Sequence, residues 1–206
     1  MRTKILFYGL MLSTFALMLA CSKDDSIPDT DGKNELTYDG QIYPLTNGTY
    51  ETYGFDGEHF NQEFSVFDAT RINESLVPVY VFVDLYAAGE TFSGGTFPFM
   101  HYGQDDVTDK YYFDDGYVIL NMNVATEDAE SFLAVAGGTV KVSGSGNTYS
   151  IAFDLLLDNG KRVTGSFEGT FDELADDVEA GMRPVNRTIQ LIKKSGQTPT
   201  VSKQRK

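Results

Sequence analysis

From Val140 to Phe171 apolar and polar residues alternate with period two, and this pattern constrains the fold of the 206-residue chain more than any other. Val140 and Val142 alternate with Lys141 and Ser143, and Tyr149, Ile151, Phe153 and Leu155 alternate with Ser150, Ala152 and Asp154. Val163, Phe167 and Phe171 share a face with Gly165 and Gly169, while Arg162, Thr164, Ser166, Glu168 and Thr170 point the other way. Successive side chains on a strand face opposite sides, so these runs are strands with one face buried and one wet. Asn159-Gly160 stands between two of them, and such a pair accepts the positive φ that a tight hairpin requires. Glycine on the inward face predicts sharp coiling of a strand or the close approach of another backbone.

The same grammar extends back to Glu35. Turn pairs recur at Asp39-Gly40, Asn47-Gly48, Asp56-Gly57, Gly94-Gly95, Asp115-Gly116, Gly137-Gly138 and Gly144 to Asn147, and no window shows a long apolar repeat of helical period. Leu36 to Tyr43 reads as an opening hairpin, and Thr49–Gly54 and His59–Ala69 as the next strands. Leu76 to Tyr86 is apolar on both faces: Val77, Val79, Val81, Val83 and Leu85 on one, Tyr80, Phe82 and Tyr86 on the other. Such a strand is central and covered on both sides. Gly89–Phe99 follows, and then a hairpin turning at Asp114-Asp115-Gly116, with Val118, Leu120, Met122 and Val124 on one face of its second strand. The expected fold is all-β, an antiparallel meander of roughly nine to eleven strands closing as a barrel, with a two-layer sandwich as the alternative.

The N-terminus is built differently. Arg2 and Lys4 precede an apolar run from Ile5 to Leu19, too short and wrongly flanked for a stable spanning helix, so residues 1–20 read as a secretory signal. Met18-Leu19-Ala20-Cys21 resembles the lipobox of bacterial lipoproteins, with Met18 where Leu is usual. The resemblance implies cleavage before Cys21 and acylation of that residue, and two or more acyl chains hold a protein on a bilayer stably. Ser22-Lys23-Asp24-Asp25 resembles the export signal of surface lipoproteins in Bacteroidota, which carries a lysine and two acidic residues behind the lipidated cysteine. That implies an outer-membrane protein, lipid-anchored through Cys21 and displayed on the cell exterior by Lys23, Asp24 and Asp25. Asp25-Ser26-Ile27 also resembles the O-glycosylation triplet of the same bacteria, which would place a glycan on Ser26.

Residues 21–34 are a polar tether expected to be flexible, and residues 35–171 the all-β domain. A second resemblance attaches to that domain. Leu36-Thr37-Tyr38-Asp39-Gly40 near its start and Gly138-Thr139-Val140 through Gly165-Ser166-Phe167-Glu168-Gly169-Thr170 near its end look like small Bacteroidota lipoproteins with calycin-like or related β domains. This implies a calycin-like barrel and carries little about function, because its motifs are hairpins rather than chemistry. Residues 172–206 are acidic at first (Asp172, Glu173, Asp176, Asp177, Glu179) and then basic (Arg183, Arg187, Lys193, Lys194, Lys203, Arg205, Lys206), and are expected to be largely disordered. This tail reads as solvated and docking on the acidic body, with contact to phosphate groups of the outer leaflet as the alternative.

Charge and chemistry narrow the function classes. The formal net charge is −14, and it becomes more negative when Arg2 and Lys4 leave with the signal. That sign argues against nucleic acid as a partner. Cys21 is the single cysteine, so there is neither a disulfide framework nor a thiolate metal cluster. His59 and His101 are the only histidines, no nucleophile-elbow pattern accompanies them, and no carboxylate pair is singled out by its spacing, so the chain reads as non-enzymatic and without a cofactor.

The richest segment is Phe97 to Tyr117. Tyr102, Tyr111, Tyr112 and Tyr117 suggest an aromatic platform for a sugar or an apolar ligand, and Asp105, Asp106 and Asp109 suggest a calcium loop, though without EF-hand spacing. The bland alternative is an acidic loop whose aromatics pack on the sheet. Three functions follow as expectations: a non-enzymatic surface binding or accessory module, with a glycan or an envelope protein as partner; a structural or assembly partner of another envelope protein; and a carrier of a small apolar ligand in a barrel cavity. For the last, Val81, Val118, Leu120, Ile151, Phe153 and Phe167 would line the cavity, and the same set would equally describe a filled core.

Overall fold

The computed structural model describes residues 34–126, 128–174 and 200–201. The signal, Cys21, the tether with Lys23, Asp24, Asp25 and Ser26, and most of residues 172–206 lie outside the described residues. Strands occupy most of what is described: β1 (Glu35–Tyr38), β2 (Gln41–Pro44), β3 (Asn47–Phe55), β4 (His59–Phe67), β5 (Leu76–Ala88), β6 (Gly95–Pro98), β7 (Tyr112–Asn123), β8 (Asp128–Ala129), β9 (Ser131–Ser145), β10 (Thr148–Leu157), β11 (Arg162–Glu173) and β12 (Thr200–Val201). One 3-10 turn, Ile72–Glu74, interrupts them. Among the described residues no helix is long and apolar enough to cross a membrane.

The protein is all-β, and its hydrogen bonds run in a closed ring, β3–β4–β5–β7–β9–β10–β11 and back to β3. The ring is antiparallel except at one junction, where Phe171, Asp172 and Glu173 of β11 lie parallel to Gly48, Thr49 and Tyr50 of β3. Ring closure removes the free edges that an open sheet must protect. The opening hairpin forms at Asp39 (φ 53) and Gly40 (φ 78) and pairs through β1 with the edge of β11 that also meets β3, so that Leu36 and Tyr43 face the interior. Strand β11 runs past Phe171 to Glu173, and Leu174 behind it is buried.

Three sequence turns are not turns: Asn47-Gly48 opens β3, where a Cβ on Gly48 would lie 2.6 Å from the Phe171 ring. Tyr112 to Asn123 is one continuous strand, so the hairpin expected at Asp114-Asp115-Gly116 does not exist. Gly116 is there because a Cβ would lie 3.0 Å from the Phe82 carbonyl oxygen of the neighbouring strand. Gly137-Gly138 likewise lies within β9, where Gly138 has φ 117 and a Cβ would lie 2.2 Å from the Asp154 carbonyl oxygen. The register slips beside it, between Leu156 and Leu157 of β10. This bulge lets Val135 and Val140, of opposite parity, both enter the interior.

The strands bury two apolar layers. The first fills the ring and includes Leu36, Phe64, Val81, Leu85, Phe97, Phe113, Val118, Phe153, Phe167 and Phe171. Gly165 permits its packing, because a Cβ would meet the Phe153 ring at 2.7 Å and the Glu35 carbonyl oxygen at 2.8 Å. The second layer lies on the outer face of β4, β5 and β7 and comprises Phe67, Val77, Tyr80, Phe82, Ile119, Met122, Ala129 and Leu174. Strand β5 is therefore covered on both sides, with one correction: Val77 packs in the second layer, not with Val79 and Val81. Met122 and Val124 leave the Val118–Leu120 face in the same way. Asn121, opposite Pro78, adopts φ 50, and this left-handed residue breaks the period-two alternation.

Candidate functional site

The outer face of β4, β5 and β7 carries more chemistry than any other surface of the ring. Register sets its rows. Asn61, Tyr86 and Tyr112 face each other across the three strands, and so do Glu63, Asp84 and Asp115, and then Ser65, Phe82 and Tyr117. A row of carboxylates thus lies between two rows rich in aromatics. A bulge in β7 opposite Asp84 and Leu85 inserts Asp114, which brings a fourth carboxylate to the row.

Asp84 is the centre of this arrangement. Asn61 Nδ2 donates to its Oδ1 at 2.5 Å, and the Tyr86 hydroxyl donates to its Oδ2 at 3.0 Å. Burial pushes its carboxyl up to about 6, against the smaller opposing pull of the Asn61 amide, and the negative neighbours Glu63 and Asp114 add to the rise. Asp114 is raised as well, by burial first and by Asp115 second. Burial and the Asp84 charge also raise Tyr86, so its hydroxyl stays a donor.

One aromatic wall is Tyr86 stacked on Tyr112, with centroids 4.7 Å apart and planes at 7°, and His59 edge-on to Tyr112 at 5.1 Å. His59 is buried, and its Nε2 lies 3.1 Å from the Val107 carbonyl oxygen, which ties the segment 99–111 to this end of the ring. The other wall is Tyr117, stacked on Phe82 at 4.7 Å and on Phe132 at 5.0 Å. Beyond the first wall, Tyr53 and Phe55 near the β3–β4 tip are exposed, and Tyr102 in the segment 99–111 is 71 % exposed.

The four tyrosines singled out in the sequence do not share one platform. Tyr112 and Tyr117 reach the same outer face but flank the acidic row, and both have ring faces taken by neighbours. Tyr111 turns towards the interior layer, edge-on to Phe97 at 5.3 Å, with its hydroxyl 2.6 Å from Ser93 Oγ. Only Tyr102 stands free in water.

The aspartates of the segment 99–111 serve its backbone. Asp105 accepts from the His101 amide and Asp106 from the Thr108 amide, while Asp109 takes a left-handed φ of 55. Among the described residues no group of three or more His, Cys, Asp or Glu side chains is gathered as metal ligands. A separate open groove of about 560 Å³ runs over the outside of β6, β9 and β10, lined by Gly94, Gly95, Thr96, Lys141, Ser143 and Ser150.

Asp84, Asn61 and Glu63 escaped the sequence reading. One signal was there: Asp84 is the only charged residue between Leu76 and Ala88, in a strand otherwise apolar on both faces. An acid in such a strand is either paired or shifted in pKa. The chain matches no protein-family model, no curated protein and no solved structure.

Proposed function

We propose that this protein is a lipid-anchored lipoprotein of the outer-membrane surface and acts there as a non-enzymatic binding module. Cys21 supplies the anchor, Lys23, Asp24 and Asp25 the outward address, and the outer face of β4, β5 and β7 the binding surface. The observation that carries the binding reading is the acidic row held between aromatic walls, with the exposed Tyr53, Phe55 and Tyr102 beyond it. Carboxylates and amides that accept and donate hydrogen bonds, next to aromatic faces, suit a polyhydroxylated ligand such as a glycan.

Two experiments test this. Replacing Lys23, Asp24 and Asp25 by Ala should leave the protein lipidated but protected from protease added to whole cells; continued cleavage outside would sink the export reading. The mature chain carrying Cys21→Ser, applied to a mixed-glycan array, should bind a subset of glycans. Binding should fall at least tenfold in Asn61→Ala and in Tyr102→Ala. A flat array would turn attention to the second reading, an assembly partner. That reading is favoured by β2, which among the described residues pairs only with β1 and exposes Ile42 at its middle.

A further inference from the structure

The interior layer holds one polar group out of place. Gln62 lies on the inward row of β4 with Phe64 and Val66, opposite Leu85, and is only 2 % exposed. Its Nε2 has no hydrogen-bond partner. A buried amide donor without a partner keeps its desolvation cost uncompensated, so an apolar side chain of similar size would serve a plain core better.

Two residues along the same face, at Phe64, the interior is closed by a loop side chain. Residues 89–94 join β5 to β6, and Phe92 from this loop packs against Phe64 at 5.4 Å, Phe97 at 5.9 Å and Tyr149 at 6.4 Å. Phe64 is two residues from Gln62 on the same face, about 7 Å along the strand. Phe92 is only partly buried, although its ring joins the fully buried Phe64 and Phe97. The loop is fastened by the Ser93–Tyr111 hydroxyl contact of 2.6 Å. Gly95 lets the Tyr111 ring lie against it, since a Cβ would meet that ring at 2.9 Å.

We infer that this end of the ring is a stoppered binding pocket, in which Phe92 occupies the place of a small aromatic or aliphatic molecule bearing one hydrogen-bond acceptor that accepts a hydrogen bond from Gln62 Nε2. Displacement of Phe92 exposes Phe64, Phe97 and Tyr149 as an apolar wall, and the ligand's carbonyl oxygen satisfies Gln62. The inference goes beyond the surface-binding reading and is independent of it, because it uses the inward face of β4 rather than the outward one.

The test uses the mature chain with Cys21→Ser, titrated with acetophenone and with toluene by ligand-observed NMR. The two probes share a ring and differ by the acceptor. Acetophenone should bind at least fivefold more tightly, which is one hydrogen bond's worth. Phe92→Ala should tighten both probes about tenfold or more, and Gln62→Leu should abolish the preference. Equal affinity for the two probes in the parent chain, a preference that survives Gln62→Leu, or no binding of either probe to folded Phe92→Ala would each overturn the inference. Should Phe92→Ala not fold, Tyr111→Phe removes only the fastening and must speed the association of acetophenone; an unchanged rate would count against the pocket equally. Loss of glycan binding in Asn61→Ala would leave these results untouched.

Discussion

The two faces of β4 and β5 differ in kind although the same residues' backbones build both. Inward, Phe64, Val66, Val81, Val83 and Leu85 meet other apolar side chains and pack edge to face, with Phe64 touching Tyr149 at 5.1 Å and Phe171 at 5.6 Å. Outward, the same strands place Asn61, Glu63 and Asp84 beside Tyr86 and Phe82, so that apolar burial and charge compete within one row of each other. The inner face stabilises the ring, and the outer face spends part of that stability on keeping a carboxylate half out of water. A surface that costs stability without closing the fold is where binding is expected.

The largest test of the comparison is Phe64→Ala. Phe64 is 1 % exposed and in ring contact with Tyr50, Phe92, Tyr149 and Phe171, so its truncation should cost about 3–5 kcal/mol in urea denaturation. A cost under about 1 kcal/mol would mean that the interior is not close-packed, and the contrast between the faces would fail.

Asp84→Asn should act in the opposite direction. Because the carboxyl of Asp84 rises from 3.8 to about 6 on folding, the native state holds a proton that the unfolded chain has lost over that interval. Its contribution to stability is therefore full below about pH 4 and is lost as pH rises through about 6. At pH 7 the deficit reaches up to about 3 kcal/mol, and Asp84→Asn, which keeps an acceptor for Asn61, should recover much of it. Denaturation at pH 4.5 and pH 7 should show the gain shrinking at the lower pH. An equal gain at both would show that the charge of Asp84 is not what burdens the outer face.

A smaller effect is expected from Tyr86→Phe. It keeps the stack on Tyr112 but removes the hydroxyl donor to Asp84, so it should cost about 1 kcal/mol at pH 7 and raise the Asp84 pKa further. A carbon-detected NMR titration of the Asp84 carboxyl would read that shift directly; a lowered midpoint would reverse the role given to Tyr86.

Much of the fold was legible in the chain, because a buried face repeats at every second residue and a turn needs residues that accept positive φ. The β10–β11 hairpin at Asn159-Gly160, the opening hairpin at Asp39-Gly40 and the doubly covered β5 were readable on those grounds. The candidate site was far less legible. Tyr102, Tyr111, Tyr112 and Tyr117 drew notice through their density, yet they scatter over the loop, the interior side and both walls of the outer face. Asp84 sits in the middle of the site with one weak signal of its own.

What the chain determined by itself was local: strands, their buried parity and the tight turns between them. Tertiary structure alone decided what lies across from what. The Asp115-Gly116 and Gly137-Gly138 pairs look like turns in isolation, but both lie in mid-strand, where a neighbouring carbonyl crowds the place of a Cβ at Gly116 and Gly138. Asn121 reverses the parity of Met122 through a single left-handed residue, which no alternation rule anticipates. Ring closure through β7–β9 and β3–β11 joins residues distant in the sequence, and the lateral register of β4, β5 and β7 gathers Asn61, Asp84 and Asp115. Periodicity records which side a residue faces; only pairing between strands records whom it meets there.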